Sequence, residues 1–252
     1  MPDMNTAQAS TKPGLPLTNA SWTGMVPPMR SLLPLALSLI AVGPCILGAE
    51  PAKQTGPASQ PTQRVVVLGD SLAAGYGVSA GESWPDRIQS RIQDAGLPFT
   101  VINAGVSGDT TAGGLRRIDW ILKQPVDVLV LELGGNDGLR GMAPTATRTN
   151  LIGIVQKTRA KWPSASIVLA GMQMPASMGR EFSQKFGQVF PEVAKAEQLH
   201  LIPHLLEGVG GVPELNLPDL IHPTAVGHDL VASNAWKTIE PLLRQRATQK
   251  SP

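Results

Sequence analysis

The sequence predicts an α/β protein: a doubly wound domain around a mostly parallel five-stranded sheet. Three observations carry that expectation. From Arg64 onward, short runs rich in Val, Ile and Leu alternate with longer amphipathic stretches. The short runs lack strict polar–apolar alternation, as strands buried on both faces should. The resulting β-α-β-α order predicts right-handed crossovers between parallel neighbours.

The elements can be placed in order. Strands are expected at Arg64–Leu68, Thr100–Asn103, Asp127–Leu133, Ile167–Ala170 and His200–Ile202. Helices are expected between and after them, at Trp84–Ala95, Thr111–Lys123, Thr145–Lys161, Glu181–Glu197 and Thr224–Leu243. Pro223 sets the start of the last helix, because it disfavours helical geometry at His222, and Thr224 can cap that helix. No repeat of 20–50 residues is visible, so one domain, 64–245, accounts for the sheet and its helices.

The 252 residues exceed what that domain needs. Residues 1–28 are polar and rich in Pro, Thr and Ser, and read as a disordered extension; translation from Met29 would leave them out of the protein. Residues 29–49 have the layout of a secretory signal peptide: Met29-Arg30, a short apolar core broken by Pro34 and Pro44, then Gly48-Ala49. That core is too short and too interrupted for a stable membrane span. Residues 50–63, with Pro51, Pro57 and Pro61, read as a flexible leader, and 246–252 as a disordered tail. Cys45, the only cysteine, lies inside the export segment, and Pro44 before it argues against lipidation. Cleavage after Ala49 leaves a periplasmic or secreted chain with no thiol to serve as nucleophile.

Composition excludes several classes. Hydrophobic residues are 42% of the chain and charged ones 16%, which suits a globular protein. The net charge is +2, with scattered basic residues, so no electrostatic footprint for nucleic acid is present. There is no CxxC, HExxH, Walker loop or GxGxxG after a strand.

Four short segments carry chemistry. Ser71 follows Gly69-Asp70 at the exit of the first strand, where a strand-to-helix turn can present its Oγ. Alone, Gly-Asp-Ser is a common turn. Asp219 and His222 stand three residues apart, so the carboxylate can accept from Nδ1–H and leave Nε2 to take the proton of Ser71. An Asp capping a turn beside a surface His would look the same. Gly108 permits close backbone approach and can aim its N–H into a site, or simply make a turn. Asn136, after Gly134-Gly135, can donate through its amide, or be a buried turn residue. Three donors, the N–H groups of Ser71 and Gly108 and the Asn136 amide, would make an oxyanion hole. All these segments follow strands or lie beyond the last one, so the sheet brings them to one carboxyl edge. The order is wrong for an α/β-hydrolase, whose serine follows a later strand. His228 on the last helix reads as structural, and His200 and His204 as edge or loop residues.

GDSLAAGYG (69–77), NAGVSGDT (103–110), ELGGNDGLRG (132–141) and DLIHP (219–223) resemble the four blocks of the GDSL, or SGNH, hydrolase family. They are most similar to its bacterial periplasmic thioesterase I/lysophospholipase L1/arylesterase branch. The likeness runs from about Val65 to Leu243; the Gly-rich stretch Glu207–Pro213 falls outside its pattern. It implies a flavodoxin-like three-layer α/β/α fold, Ser71 as nucleophile, Gly108 and Asn136 as oxyanion donors, Asp219 and His222 as the rest of a triad, a mobile loop at 136–141, and neither cofactor nor metal. The expected activity is hydrolysis of small-molecule acyl esters and thioesters by a monomer. Leu139, Met174 and Pro175, with Met142, Met172 and Met178, lie in loops at the carboxyl edge and offer an apolar acyl site. An O-acetyl glycan deacetylase would use the same triad, and a non-catalytic binding module would retain the positions without turnover.

Overall fold

The sheet consists of β1 (Gln63–Gly69), β2 (Phe99–Gly105), β3 (Val128–Glu132), β4 (Ser166–Ala170) and β5 (His200–Ile202), all parallel, in the order β2-β1-β3-β4-β5. The computed structural model describes residues 63–249, so the extension, the export segment and all of the leader but Gln63 lie outside the described residues. Gln63, assigned to the leader by sequence, is the first residue of β1, and its N–H donates to Pro98 O at 2.9 Å.

Among the described residues, seven α-helices lie between and after the strands: α1 (Ser71–Ala74), α2 (Trp84–Asp94), α3 (Thr111–Ile121), α4 (Gly135–Leu139), α5 (Pro144–Lys161), α6 (Arg180–Ala196) and α7 (Ala225–Gln249). Helix α2 packs on α7, while α3, α5 and α6 pack in sequence on one another, which gives the outer layers. The core lies between them. It contains Val65, Val67, Leu68, Leu129, Leu131 and Val168 from the strands, with Trp84, Ile88, Ile154, Phe186 and Phe190 from the helices. Full burial of each such side chain contributes about 1.5–3 kcal/mol.

One expectation about the strands needs correction. β1, β3 and β4 are buried nearly throughout, but β2 is half exposed along most of its length, because the strand order puts it at an edge. A second correction concerns the C-terminus. Helix α7 continues to Gln249, and Arg246, placed in a tail by sequence, donates to Ser164 O at 2.8 Å and Ser166 Oγ at 2.9 Å.

Caps explain several helix starts. Ser83 and Asp86 form a reciprocal capping box at α2, with Pro85 just inside the helix. Thr110 Oγ1 accepts from Gly113 N at the start of α3. Thr224 Oγ1 accepts from Gly227 N at the start of α7, as the sequence suggested. His228 is structural, as expected. Its Nδ1 accepts from Trp84 N at 3.2 Å, tying α7 to α2, and burial, then the nearby Arg87, hold it down to about 4.

The chain turns back between β1 and β3. It leaves β1 toward β2 on one side and later returns to β3 on the other, so a crevice opens beyond the carboxyl ends of β1 and β3. Ser71 and Asn136 sit there.

Candidate active site

The Ser71 turn is built by its neighbour. Asp70 Oδ1 accepts from Leu72 N at 3.0 Å, which caps α1 and makes Ser71 its first residue. Ser71 is 9% exposed. Its Oγ lies 2.9 Å from His222 Nε2 across 151 residues of sequence.

His222 rides on a tightly tied loop. Asp219 Oδ2 is 2.7 Å from His222 Nδ1, while Oδ1 accepts from the backbone N–H of Ile221 at 2.9 Å and of His222 at 3.0 Å. Folding that loop puts Leu220 at φ 60°, a left-handed conformation that a bulky residue adopts only under constraint. Burial works against ionisation of Asp219, but the His222 N–H, the imidazole and the Ile221 N–H outweigh it and hold the carboxyl at about 2. Further back, Leu217 N donates to His222 O at 2.7 Å, and Asn216 bridges antiparallel to Pro223. Asn216 also donates to Val209 O at 2.5 Å and Val212 O at 2.8 Å. The Gly-rich stretch 207–213 is therefore the anchor of the His222 loop, with Val209 fully buried.

The expected oxyanion donors differ in how far their hydrogen bonds are already used. No hydrogen bond among the described residues uses the N–H of Ser71 or of Gly108. Gly108 sits at φ +79°, which glycine adopts without strain, and Arg140 Nη2 donates to its carbonyl at 3.1 Å. Asn136 differs. Its Nδ2 already donates to Asp109 O at 3.0 Å and to Asp70 Oδ2 at 3.2 Å. These contacts bring α4, the loop before α3 and the Ser71 turn to one point.

Beneath that point lie two carboxyls that the sequence reading did not assign. The β1–β3 register sets Gly69 beside Glu132, whose Oε2 accepts from Asp70 N at 3.2 Å. Both acids are buried. Burial pushes Asp70 up to about 6, although the Leu72 N–H, the Asn136 amide and the nearby His222 pull it down. Burial, and then the Asp70 charge, push Glu132 well above the ordinary carboxylate range. A signal was present: Glu132 is the one charge in an otherwise apolar strand, and a buried charge needs a partner. Arg117 was missed as well. Its guanidinium binds Asp109 Oδ2 at 2.7 Å, Ala104 O at 2.7 Å and Gly69 O at 2.9 Å, joining the ends of β1 and β2. Asp137 accepts from Thr111 N at 2.9 Å and Thr147 Oγ1 at 3.3 Å, and also pairs with Thr111 Oγ1, which locks α4 to α3 and α5.

The apolar residues divide. Met172 is 4% exposed and belongs to the core, so it does not line a groove. Met174 is half buried against Gly138 of α4, the helix that carries Asn136. Leu139 and Pro175 are exposed, and Met142 and Met178 are half buried. A cleft of about 360 Å³ between the C-terminal ends of α3 and α5, lined by Asp119, Leu122, Lys123, Lys157, Ala160 and Lys161, lies away from all these groups. It is not the site of Ser71.

A hydroxyl, an imidazole and a carboxylate in hydrogen-bonded series can carry acyl transfer. Residues 67–230 match the GDSL-like lipase/acylhydrolase family. This chain belongs to that family. The GDSL chain is a carboxylic ester hydrolase, of α/β fold. It is 42% identical over 182 residues to esterase TesA of Pseudomonas aeruginosa, covering 72% of this chain and 90% of that one. It is 38% identical over 181 residues to thioesterase 1/protease 1/lysophospholipase L1 of Escherichia coli, covering 71% and 84%. A crystal structure of TesA superposes with a TM-score of 0.69 at 41% identity, over 71% of this chain and 99% of that one. Among the described residues of the GDSL chain, no helix is long and apolar enough to cross a membrane.

Proposed function

We propose that this hydrolase cleaves acyl esters and thioesters through Ser71, His222 and Asp219. The observation that carries the reading is the continuous series of contacts from Ser71 Oγ to His222 Nε2 at 2.9 Å and from His222 Nδ1 to Asp219 at 2.7 Å. His222 takes the Ser71 proton as Oγ attacks the carbonyl carbon, forming a tetrahedral oxyanion. The N–H groups of Ser71 and Gly108 receive the oxyanion, and the Asn136 amide turns toward it, away from its longer contact with Asp70. The imidazolium, paired with Asp219, then protonates the leaving alcohol or thiol. Water repeats the sequence on the acyl-enzyme and releases the acid.

Leu139, Met174 and Pro175 bound the acyl side of the site in this reading. Their support is position: Met174 packs on the helix that presents Asn136, and Leu139 ends that helix with its side chain exposed. Methionine and leucine at a rim accommodate chains of several lengths. Export to the periplasm or the medium is part of the same proposal, supported by the basic, apolar and small-residue order of 29–49.

The test is hydrolysis of p-nitrophenyl esters from C2 to C12 by the wild type and Ser71→Ala. Turnover across several chain lengths, lost in the variant, is expected. Activity on acetate alone would point instead to deacetylation, and near-normal turnover by Ser71→Ala would remove Ser71 from the mechanism.

A further inference from the structure

One aromatic side chain beside His222 has no part in the chemistry above. Tyr76, the only tyrosine in the chain, places its ring centroid 4.5 Å from that of the imidazole, with the planes inclined by 44°. The side chain is 52% exposed, so core packing does not explain where it sits. Its backbone does. Tyr76 lies between two glycines with left-handed backbone, Gly75 at φ +74° and Gly77 at φ +81°. A Cβ on Gly77 would collide with Leu217 Cδ1, and one on Gly75 would come within 2.8 Å of Ser83 Cβ. Tyr76 N donates to Ser71 O at 3.1 Å, and Leu217 N donates to His222 O at 2.7 Å. The ring thus hangs from the nucleophile turn and rests against the loop that carries the base.

We propose that Tyr76 is a positioning residue for His222: its ring holds the imidazole in line with Ser71 and stabilises the positive charge that the imidazole acquires during acyl transfer. The inference rests on the Ser71–His222–Asp219 reading. Tyr76 transfers no proton; the Ser71 proton moves to Nε2 and from there to the leaving group. An aromatic face attracts a cation within about 6 Å of its centroid, and 4.5 Å lies inside that range. The other groups acting on this imidazole are Asp219 at Nδ1, Ser71 at Nε2 and the buried Asp70 carboxyl, whose charge also reaches it. Asp219 and Ser71 address the nitrogens. Tyr76 contacts the ring itself.

The experiment measures kcat and KM on p-nitrophenyl butyrate from pH 4 to 9 for the wild type, Tyr76→Phe, Tyr76→Leu and Tyr76→Met, with Ser71→Ala alongside. Loss of the ring in the Leu and Met variants should lower kcat by about 3–10-fold, with KM within about twofold. The acid limb of kcat/KM should move to lower pH by roughly half a unit, since a proton on the imidazole is less well held. Tyr76→Phe should restore both the rate and the limb. Two non-aromatic variants guard against one that folds poorly. Wild-type kcat and an unmoved limb in either folded variant overturn the inference, as does a Phe variant as slow as the Leu variant. Turnover by Ser71→Ala is a different failure, of the site reading itself.

Discussion

Asp70 does two things at once that oppose each other. Its carboxylate caps α1 and holds the Asn136 amide, which a charge does better than a neutral group. Yet it is buried, 1% exposed, over the equally buried Glu132, which disfavours that charge. A buried acid whose folded pKa lies at about 6 rather than 3.8 contributes stability below its unfolded pKa and loses it as pH rises through 6. The loss is on the order of 2–3 kcal/mol. Asp70→Asn lacks this titration. Its melting temperature, compared with wild type, should therefore gain steadily between pH 4 and 6.5, by about 2–4 °C for each kcal/mol. The same variant should be slower at pH 8, because an asparagine at this position can turn a donor toward the Asn136 amide. Thermal melts across pH check the first statement; a constant difference between the two proteins at all pH values would contradict it. Asp219 behaves in the opposite sense. Held at about 2, its contribution is present above the unfolded carboxylate pKa and fades only as pH falls toward 2.

Among the elements, length decided what the sequence could reveal. The five long helices were legible because each fills a long stretch between apolar runs, and α2 and α6 also repeat their apolar positions at helical spacing. α2, for example, spans Trp84–Asp94 against an expected Trp84–Ala95. The strands were legible as apolar runs, although their edges were not, since the apolar content of β2 does not disclose that it has a neighbour on one side only. Helices α1 and α4, of 4 and 5 residues, were invisible to periodicity. They are made by an Asp cap and by the Gly134 turn, and they carry Ser71 and Asn136. The site residues were still readable as turn chemistry at strand ends. What sequence could not reveal is the support: Glu132, Arg117 and Asp137 act through contacts 62, 48 and 26 residues away. The His222 loop gives a test at this scale. Asn216→Ala removes both donors to Val209 O and Val212 O from a buried position, and should cost about 1–3 kcal/mol in urea unfolding. Activity at a temperature where the variant is still folded should fall further than that loss explains, since the same strap aligns the imidazole. A variant with reduced stability and unaltered kcat would show that the loop holds its shape without Asn216.

For the whole molecule, the sheet order matters more than any one contact. β1 and β3 are neighbours although β2 lies between them in sequence, and that reversal opens the crevice where Ser71 and Asn136 meet. The proposed export concerns the whole chain too. Cleavage after Ala49 predicts a mature protein whose first residue is Glu50, and N-terminal sequencing of protein from the periplasm or medium reads it directly. A secreted chain that still began upstream of Leu35 would rule out the cleavage. The separation of 151 positions between the hydroxyl and the imidazole has a temporal consequence as well. A chain emerging from the ribosome, or kept unfolded on its way through a membrane, carries only an ordinary alcohol. In the proposed reading, acyl transfer waits until the fold brings the imidazole to the hydroxyl, so a chain still unfolded turns over no ester.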